Sequence, residues 1–149
     1  MSTDDKKQEA MELVSKAYQH HMRGEVDRAI ELYTKSLEVH RTPEAYTYRG
    51  WAQSFKKDFQ AAIADCHRAI DLDPEYGNPY NDIGAYYLEL GQFEDTIPWL
   101  HMALKAKRYE SYCYHTTTWA ASTRPRTTWS RRWTTTAAPC WKTPDTPWP

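Results

Sequence analysis

Six histidines, three cysteines and twenty Asp/Glu side chains are the groups through which this chain could do acid–base, metal or nucleophilic chemistry. His20 and His21 are adjacent. Neighbouring residues on a helix point about 100° apart, so the two cannot readily share one metal ion and read as solvated or groove histidines. His40, His67, His101 and His115 are scattered and have no Ser, Cys or Asp arranged beside them for nucleophilic catalysis. The carboxylate pairs have structural explanations. Asp71/Asp73 precede Pro74 at the end of a helical stretch, Glu94-Asp95 open one, where negative charge stabilises the helix dipole, and Asp4-Asp5 lie in the polar N-terminus. No glycine-rich phosphate loop occurs. Cys66, Cys113 and Cys140 are odd in number and lack CxxC spacing, so they predict reduced thiols rather than disulfides or a zinc site. The expectation is a protein that is not an enzyme, with no metal and no cofactor.

The elements that would carry these residues are announced by a repeat. A shift of 34 positions superposes Tyr46 on Tyr80, Gly50 on Gly84, Phe59 on Phe93, Ile63 on Ile97 and Ala69 on Ala103. A shift of 33 places Ala17 under Gly50, Val26 under Phe59, Ala29 under Ala62 and Leu37 under Ile70. A fixed period of this length is the mark of stacked supersecondary units. Within the middle period Phe59, Ala62, Ile63, Cys66, Ala69 and Ile70 keep the three-to-four spacing of one apolar helical stripe.

Glycine or a short polar break falls at Gly24, Lys57-Asp58 and Gly91, and proline at Pro43, Pro74 and Pro79. The breaks predict helices over 8–23, 26–40, 44–57, 60–72, 78–90 and 93–107. Paired into hairpins, they give an all-α chain: a polar segment at 1–9, repeats at 10–42, 43–76 and 77–110, and a tail at 111–149. Gly50 and Gly84 are expected to let the first helix of a hairpin approach Ala62 or Thr96 on the second. No hairpin this short buries its apolar face alone, so stacking must supply the core.

The residues Gly50, Phe59, Ala62, Ala69 and Pro74, and again Gly84, Tyr87, Phe93 and Ala103, resemble the tetratricopeptide repeat (TPR). Arg49 and Thr96 depart from the family's usual apolar residue and alanine. The resemblance implies a right-handed α-solenoid whose first helices line a concave groove for an extended peptide or helix of another protein. On this sequence the groove comprises Val14, Tyr18 and His21, then Tyr48, Trp51 and Phe55, then Asn78, Asn81, Asp82 and Leu88. Trp51 and Phe55, four apart, form an aromatic ridge suited to anchoring an apolar side chain. Co-chaperone members clamp the acidic tails of heat-shock chaperones with Lys, Asn and Arg. The matching positions here are Val14, Tyr18, Tyr48, Asn78 and Asp82, which hold no cation, so a carboxylate clamp is not expected.

Residues 116–149 break the pattern. They contain eleven Thr, five Trp and five Pro but no Leu, Ile, Val, Met, Phe, Tyr, Gly or Glu. Up to residue 115, 19 acidic residues outnumber 14 basic ones, whereas the tail holds Arg124, Arg126, Arg131, Arg132 and Lys142 against Asp145 alone. The genetic code offers a reason. Read from the third base of each codon, Trp119-Ala120 must give glycine, the step before it Leu, Val or Met, Cys140-Trp141 leucine and Trp141-Lys142 glutamate. One permitted reading of the tail then restores the repeat's small and apolar residues at their spacing, so a single-base slip near His115 is expected to have converted a fourth repeat into an irregular or partly helical tail.

Single-stranded nucleic acid held by the tail's Arg and Trp is the weaker reading, because it explains only the charge. Self-association through an uncapped third repeat near Tyr86, Leu100 and Leu104 is the alternative to peptide binding, giving a homo-oligomer. Neither a signal-like apolar run nor an 18-residue apolar stretch occurs, so a cytoplasmic location without membrane contact is expected.

Overall fold

A computed structural model of the chain describes residues 2–109. The expected tail at 111–149, with its reading-frame argument and its nucleic-acid alternative, lies outside the described residues. Within them six helices follow one another: α1 (Thr3–Met22), α2 (Val26–Val39), α3 (Pro43–Phe55), α4 (Phe59–Leu72), α5 (Asn78–Glu89) and α6 (Phe93–Lys105). No described helix is long and apolar enough to cross a membrane.

Five of the six helices start within a residue of where the sequence pattern puts them. The first does not. Helix α1 begins at Thr3, so most of the expected polar segment 1–9 is helical. Ser2 and Asp5 form a capping box: the Ser2 Oγ accepts from the Asp5 N–H at 3.2 Å, and the Asp5 carboxylate accepts from the Ser2 N–H at 3.0 Å. Two of the helix's orphan donors are thereby satisfied. Thr42 and Asp58 cap α3 and α4 through the N–H groups of Ala45 and Ala61.

Each hairpin turns by the same device. Gly24, Lys57 and Gly91 take φ values of 81°, 63° and 77°. The next residue then donates back across five positions, Glu25 to His20, Asp58 to Gln53 and Gln92 to Tyr87, at 2.9–3.2 Å. This is the Schellman closure, which needs the left-handed conformation at its hinge. Lys57 adopts it without being glycine.

Close packing inside the hairpins follows the small residues. A Cβ added to Gly50 would lie 2.9 Å from the Ala62 carbonyl oxygen, and one on Gly84 would lie 2.9 Å from Leu100. Two apolar clusters result, one around Ala17, Ala29, Leu32, Tyr33 and Ala52, the other around Ala62, Ile63, Cys66, Ile83 and Tyr86. Each joins residues of successive hairpins, as stacking requires.

This packing also corrects the expected self-association face. Leu100 is fully buried against Gly84, and Tyr86 is turned toward α4 and sits 6.0 Å from the Phe59 ring. Of the three residues named for that face, only Leu104 is exposed.

The solenoid's curvature can be read from which helices meet. The backbones of α1 and α3, and of α3 and α5, come within 8 Å, whereas α2, α4 and α6 make no such approach to one another. The first helices therefore form the inner, concave layer and the second helices splay outside it. Two ionic groups brace the helices. Arg49 reaches from α3 to the Asp65 carboxylate on α4 through two bonds of 2.7 and 2.8 Å, with Arg68 on the same carboxylate. Beyond α6 the chain returns to the α4–α5 loop, where Arg108 pairs with Glu44 and Asp73 and lies over the Tyr76 ring.

Candidate functional site

The concave layer carries the candidate site. Helix α1 contributes Val14, Tyr18 and His21, spaced by four and three, hence on one face. Helix α3 contributes Tyr48, Trp51 and Phe55 by the same rule. The two faces mesh ring to ring. Tyr18 sits 5.8 Å from Tyr48 and 6.5 Å from Trp51, and His21 sits 4.3 Å from Trp51 and 5.1 Å from Phe55. Trp51 and Phe55 themselves lie 5.7 Å apart. Val14 packs, half-buried, on the apolar cluster beneath. Tyr18 and Phe55 are 41% and 57% exposed, so the cluster presents a real apolar surface, while His21 at 4% forms part of its floor.

A sixth ring completes that floor and was not anticipated from sequence. Tyr33 of α2, fully buried, stacks on Tyr48 at 6.1 Å with the planes 15° apart. Its position within an ordinary apolar stripe gave no signal that it reaches through to the inner layer. The phenol oxygen of Tyr33 and both ring nitrogens of His21 are buried without a hydrogen-bond partner in the protein. Burial pushes the His21 pKa down, so the ring stays neutral, and burial pushes the Tyr33 phenol up. His20, the other member of the histidine pair, turns away and pairs with Glu25.

Helix α5 supplies a different kind of surface. Asn78, Asn81 and Leu88 are 8%, 3% and 7% exposed, so all three offer a ligand little area. Asn81 and Asp82 are brought together, the Asn81 Nδ2 lying 3.5 Å from the Asp82 carboxylate. Asp82 is half-buried beside Cys66 and Tyr86. Desolvation, only partly offset by the Asn81 amide, raises its pKa to about 7. No ring contact among the described residues links the aromatic cluster of α1 and α3 to this polar pair.

A concave layer of first helices with an aromatic cluster on it, and an outer layer of second helices, define a helical-repeat solenoid. Residues 43–76 match the family model for the tetratricopeptide repeat. Residues 43–76 are thus a tetratricopeptide repeat, and the described residues have that family's fold.

Heat shock protein STI1 of Saccharomyces cerevisiae is 35% identical over 71 residues, which are 46% of this chain and 12% of that protein. Human RNA polymerase II-associated protein 3 is 32% identical over 89 residues, 59% of this chain and 13% of that one. The chain thus matches about an eighth of the length of these relatives. The first TPR domain of Spaghetti (RPAP3), solved with the HSP90 peptide SRMEEVD, superposes with a TM-score of 0.70 at 26% identity, covering 78% of this chain and 94% of the other. The TPR fold is typical of protein–protein interaction.

Proposed function

We propose that this chain is an interaction scaffold that holds a peptide or helix of another protein in the concave groove walled by Tyr18, His21, Tyr48, Trp51 and Phe55. One observation carries the reading: five inward-facing rings from two helices form a continuous cluster whose outer members, Tyr18 and Phe55, remain open to solvent. Rigid aromatic surface held by a packed floor is what binding hot spots are made of.

Relatives point toward acidic chaperone tails as ligands, and the groove's chemistry argues against them here. A carboxylate-rich peptide needs cations in the groove. Val14, Tyr18, Tyr48, Asn78 and Asp82 supply none, and Asp82 adds repulsion. Binding of labelled SRMEEVD and a pull-down with wild type and Trp51→Ala test both halves. The expected result is no micromolar binding of SRMEEVD and a protein partner retained by wild type but lost, by about tenfold or more, with Trp51→Ala. Tight SRMEEVD binding would overturn the exclusion, and a partner indifferent to Trp51 would overturn the groove.

Self-association is the second reading, supported by Met102 and Leu104 of α6, each 43% exposed. Light scattering across a concentration series discriminates, since a strict monomer at high concentration removes it.

A further inference from the structure

Among the described residues the acidic side chains that are not fully exposed are Glu44, Asp65, Asp73 and Asp82, and the first three each have an arginine. Asp65, with only 1% of its side chain exposed, is gripped by Arg49 and Arg68. Asp73 takes Arg108, and Asp27, on the surface, takes Lys56. Asp82 departs from this rule. It is half-buried on the inner layer, and its hydrogen-bond contact is the Asn81 amide at 3.5 Å, the outer limit of such a bond. No Lys, Arg or His stands among the groups acting on its carboxylate.

Asn81 repeats the imbalance. Its side chain is almost wholly buried, its Nδ2 faces Asp82, and its Oδ1 has no donor. Turning the amide over would set its oxygen against the carboxylate, so the orientation seen is the favourable one for the ionised acid. Two acceptors on adjacent residues therefore stand together, short of donors and short of positive charge. A half-buried carboxylate without a counter-charge costs stability, and such costs cluster where a site waits for its ligand.

The missing component has a defined chemistry: several N–H donors, one positive charge and an apolar stem that can lie along a groove. One carboxylate and one amide oxygen are too few ligands for a calcium or zinc ion, and no group of three His, Cys, Asp or Glu fit for a metal occurs among the described residues.

We infer that Asp82, backed by the buried Asn81 amide, forms a cation-recognition subsite in the groove, taking a lysine or arginine side chain of the bound peptide. This rests on the groove reading above and sharpens it. The aromatic wall of α1 and α3 sets where an apolar anchor goes, and the α5 pair demands a basic residue in the same partner. Recognition of this kind selects by charge as well as by shape, since a neutral or acidic residue at that position leaves the carboxylate unpaired or repelled.

The test uses the full chain and four pools of degenerate nonapeptides, N-acetylated and C-amidated, with the central residue fixed as Lys, Arg, Gln or Glu. Blocking the termini ensures that only side-chain charge is read. Wild type is expected to retain the Lys or Arg pool about tenfold or more above the Gln pool, the scale of one charged hydrogen bond. Asp82→Asn, and Asp82→Ser as a second variant, should bring that ratio to about one, and a variant that keeps the tenfold preference overturns the cation subsite. Equal retention of the Lys, Arg and Gln pools by wild type, with retention still lost in Trp51→Ala, overturns the cation subsite and leaves the groove standing. Retention indifferent to Trp51, or no retention of any pool, overturns the groove and the subsite with it.

Discussion

Replacing Asp82 by asparagine should make this protein more stable, although most substitutions of part-buried residues do the reverse. The folded-state pKa of Asp82 is raised from 3.8 to about 7. At about 1.4 kcal/mol per unit, the ionised carboxylate costs the fold at most about 4 kcal/mol. Because Asp82 is half-buried and keeps some contact with solvent, about 2 kcal/mol is the expected gain at pH 8. For a domain of this size that is a rise in Tm of roughly 10 °C.

The sign follows from proton binding. Between about pH 4 and 7 the folded protein holds a proton on Asp82 that the unfolded chain has released. Stability from this group therefore falls as pH rises through that window, and the full cost persists above it. His21 works in the opposite sense. Its folded pKa is pushed below 6.5 by burial, so the unfolded chain takes up the proton first and stability falls as pH drops below about 6.5. Asp82→Asn should remove the first slope and leave the second.

Urea unfolding of wild type and variant at half-unit steps from pH 4 to 8 measures both, with an unchanged m-value as the check that the unfolded state is the same. The difference between the two curves should shrink toward zero near pH 4 and be largest at pH 8. A variant that is destabilised or unchanged at pH 8 would mean that the carboxylate is already paired, and the argument for an unmet charge would fail.

Two further substitutions probe the frame that holds the groove. Arg49→Met keeps the apolar stem but strips the buried Asp65 of its bidentate partner, with only the more exposed Arg68 left. A loss of about 2–3 kcal/mol is expected by urea unfolding, and pairing it with Asp65→Leu should recover most of that loss; a single-site loss under 0.5 kcal/mol would refute it. Gly50→Ala drives a methyl group to 2.9 Å from the Ala62 carbonyl oxygen, which a backbone cannot yield cheaply. It should cost about 1–3 kcal/mol by chemical denaturation, and a neutral result would show that α3 and α4 have room to part.

How much of this was legible in the sequence depends on whether a feature is local. The stripe Phe59, Ala62, Ile63, Cys66, Ala69 names a face of α4, and Gly24 and Gly91 name their hinges, because each rests on residues within one or two helical turns. The inner aromatic residues of α1 and α3 were assigned to the groove through the family resemblance, with local spacing telling only which of them share a helix face. The start of α1 was missed because Ser2 and Asp5 read as generic polar residues until their reciprocal bonds are seen. Tyr33 was missed because its own helix is an outer one, and only the stacking distance to Tyr48 shows that it reaches inward. Leu100 and Tyr86 were assigned to an exposed end that the hairpin packing closes.

Charge is the least local property of all. Arg49 looked like a lapse in an apolar position until Asp65, sixteen residues on, supplied its reason. Asp82 is the converse case. From sequence it could be judged only by what it would repel, because nothing near it in the chain says where the cations of other helices will lie. Helix packing sends Arg49 and Arg68 to Asp65, Arg108 to Asp73 and Glu44, and Lys56 to Asp27. The same packing that satisfies those acids leaves Asp82 alone on the inner face, with a neutral aromatic wall as the other part of the groove. A scaffold selected only for stability has no use for that arrangement, since an asparagine would remove the cost. A scaffold that must hold a basic partner does.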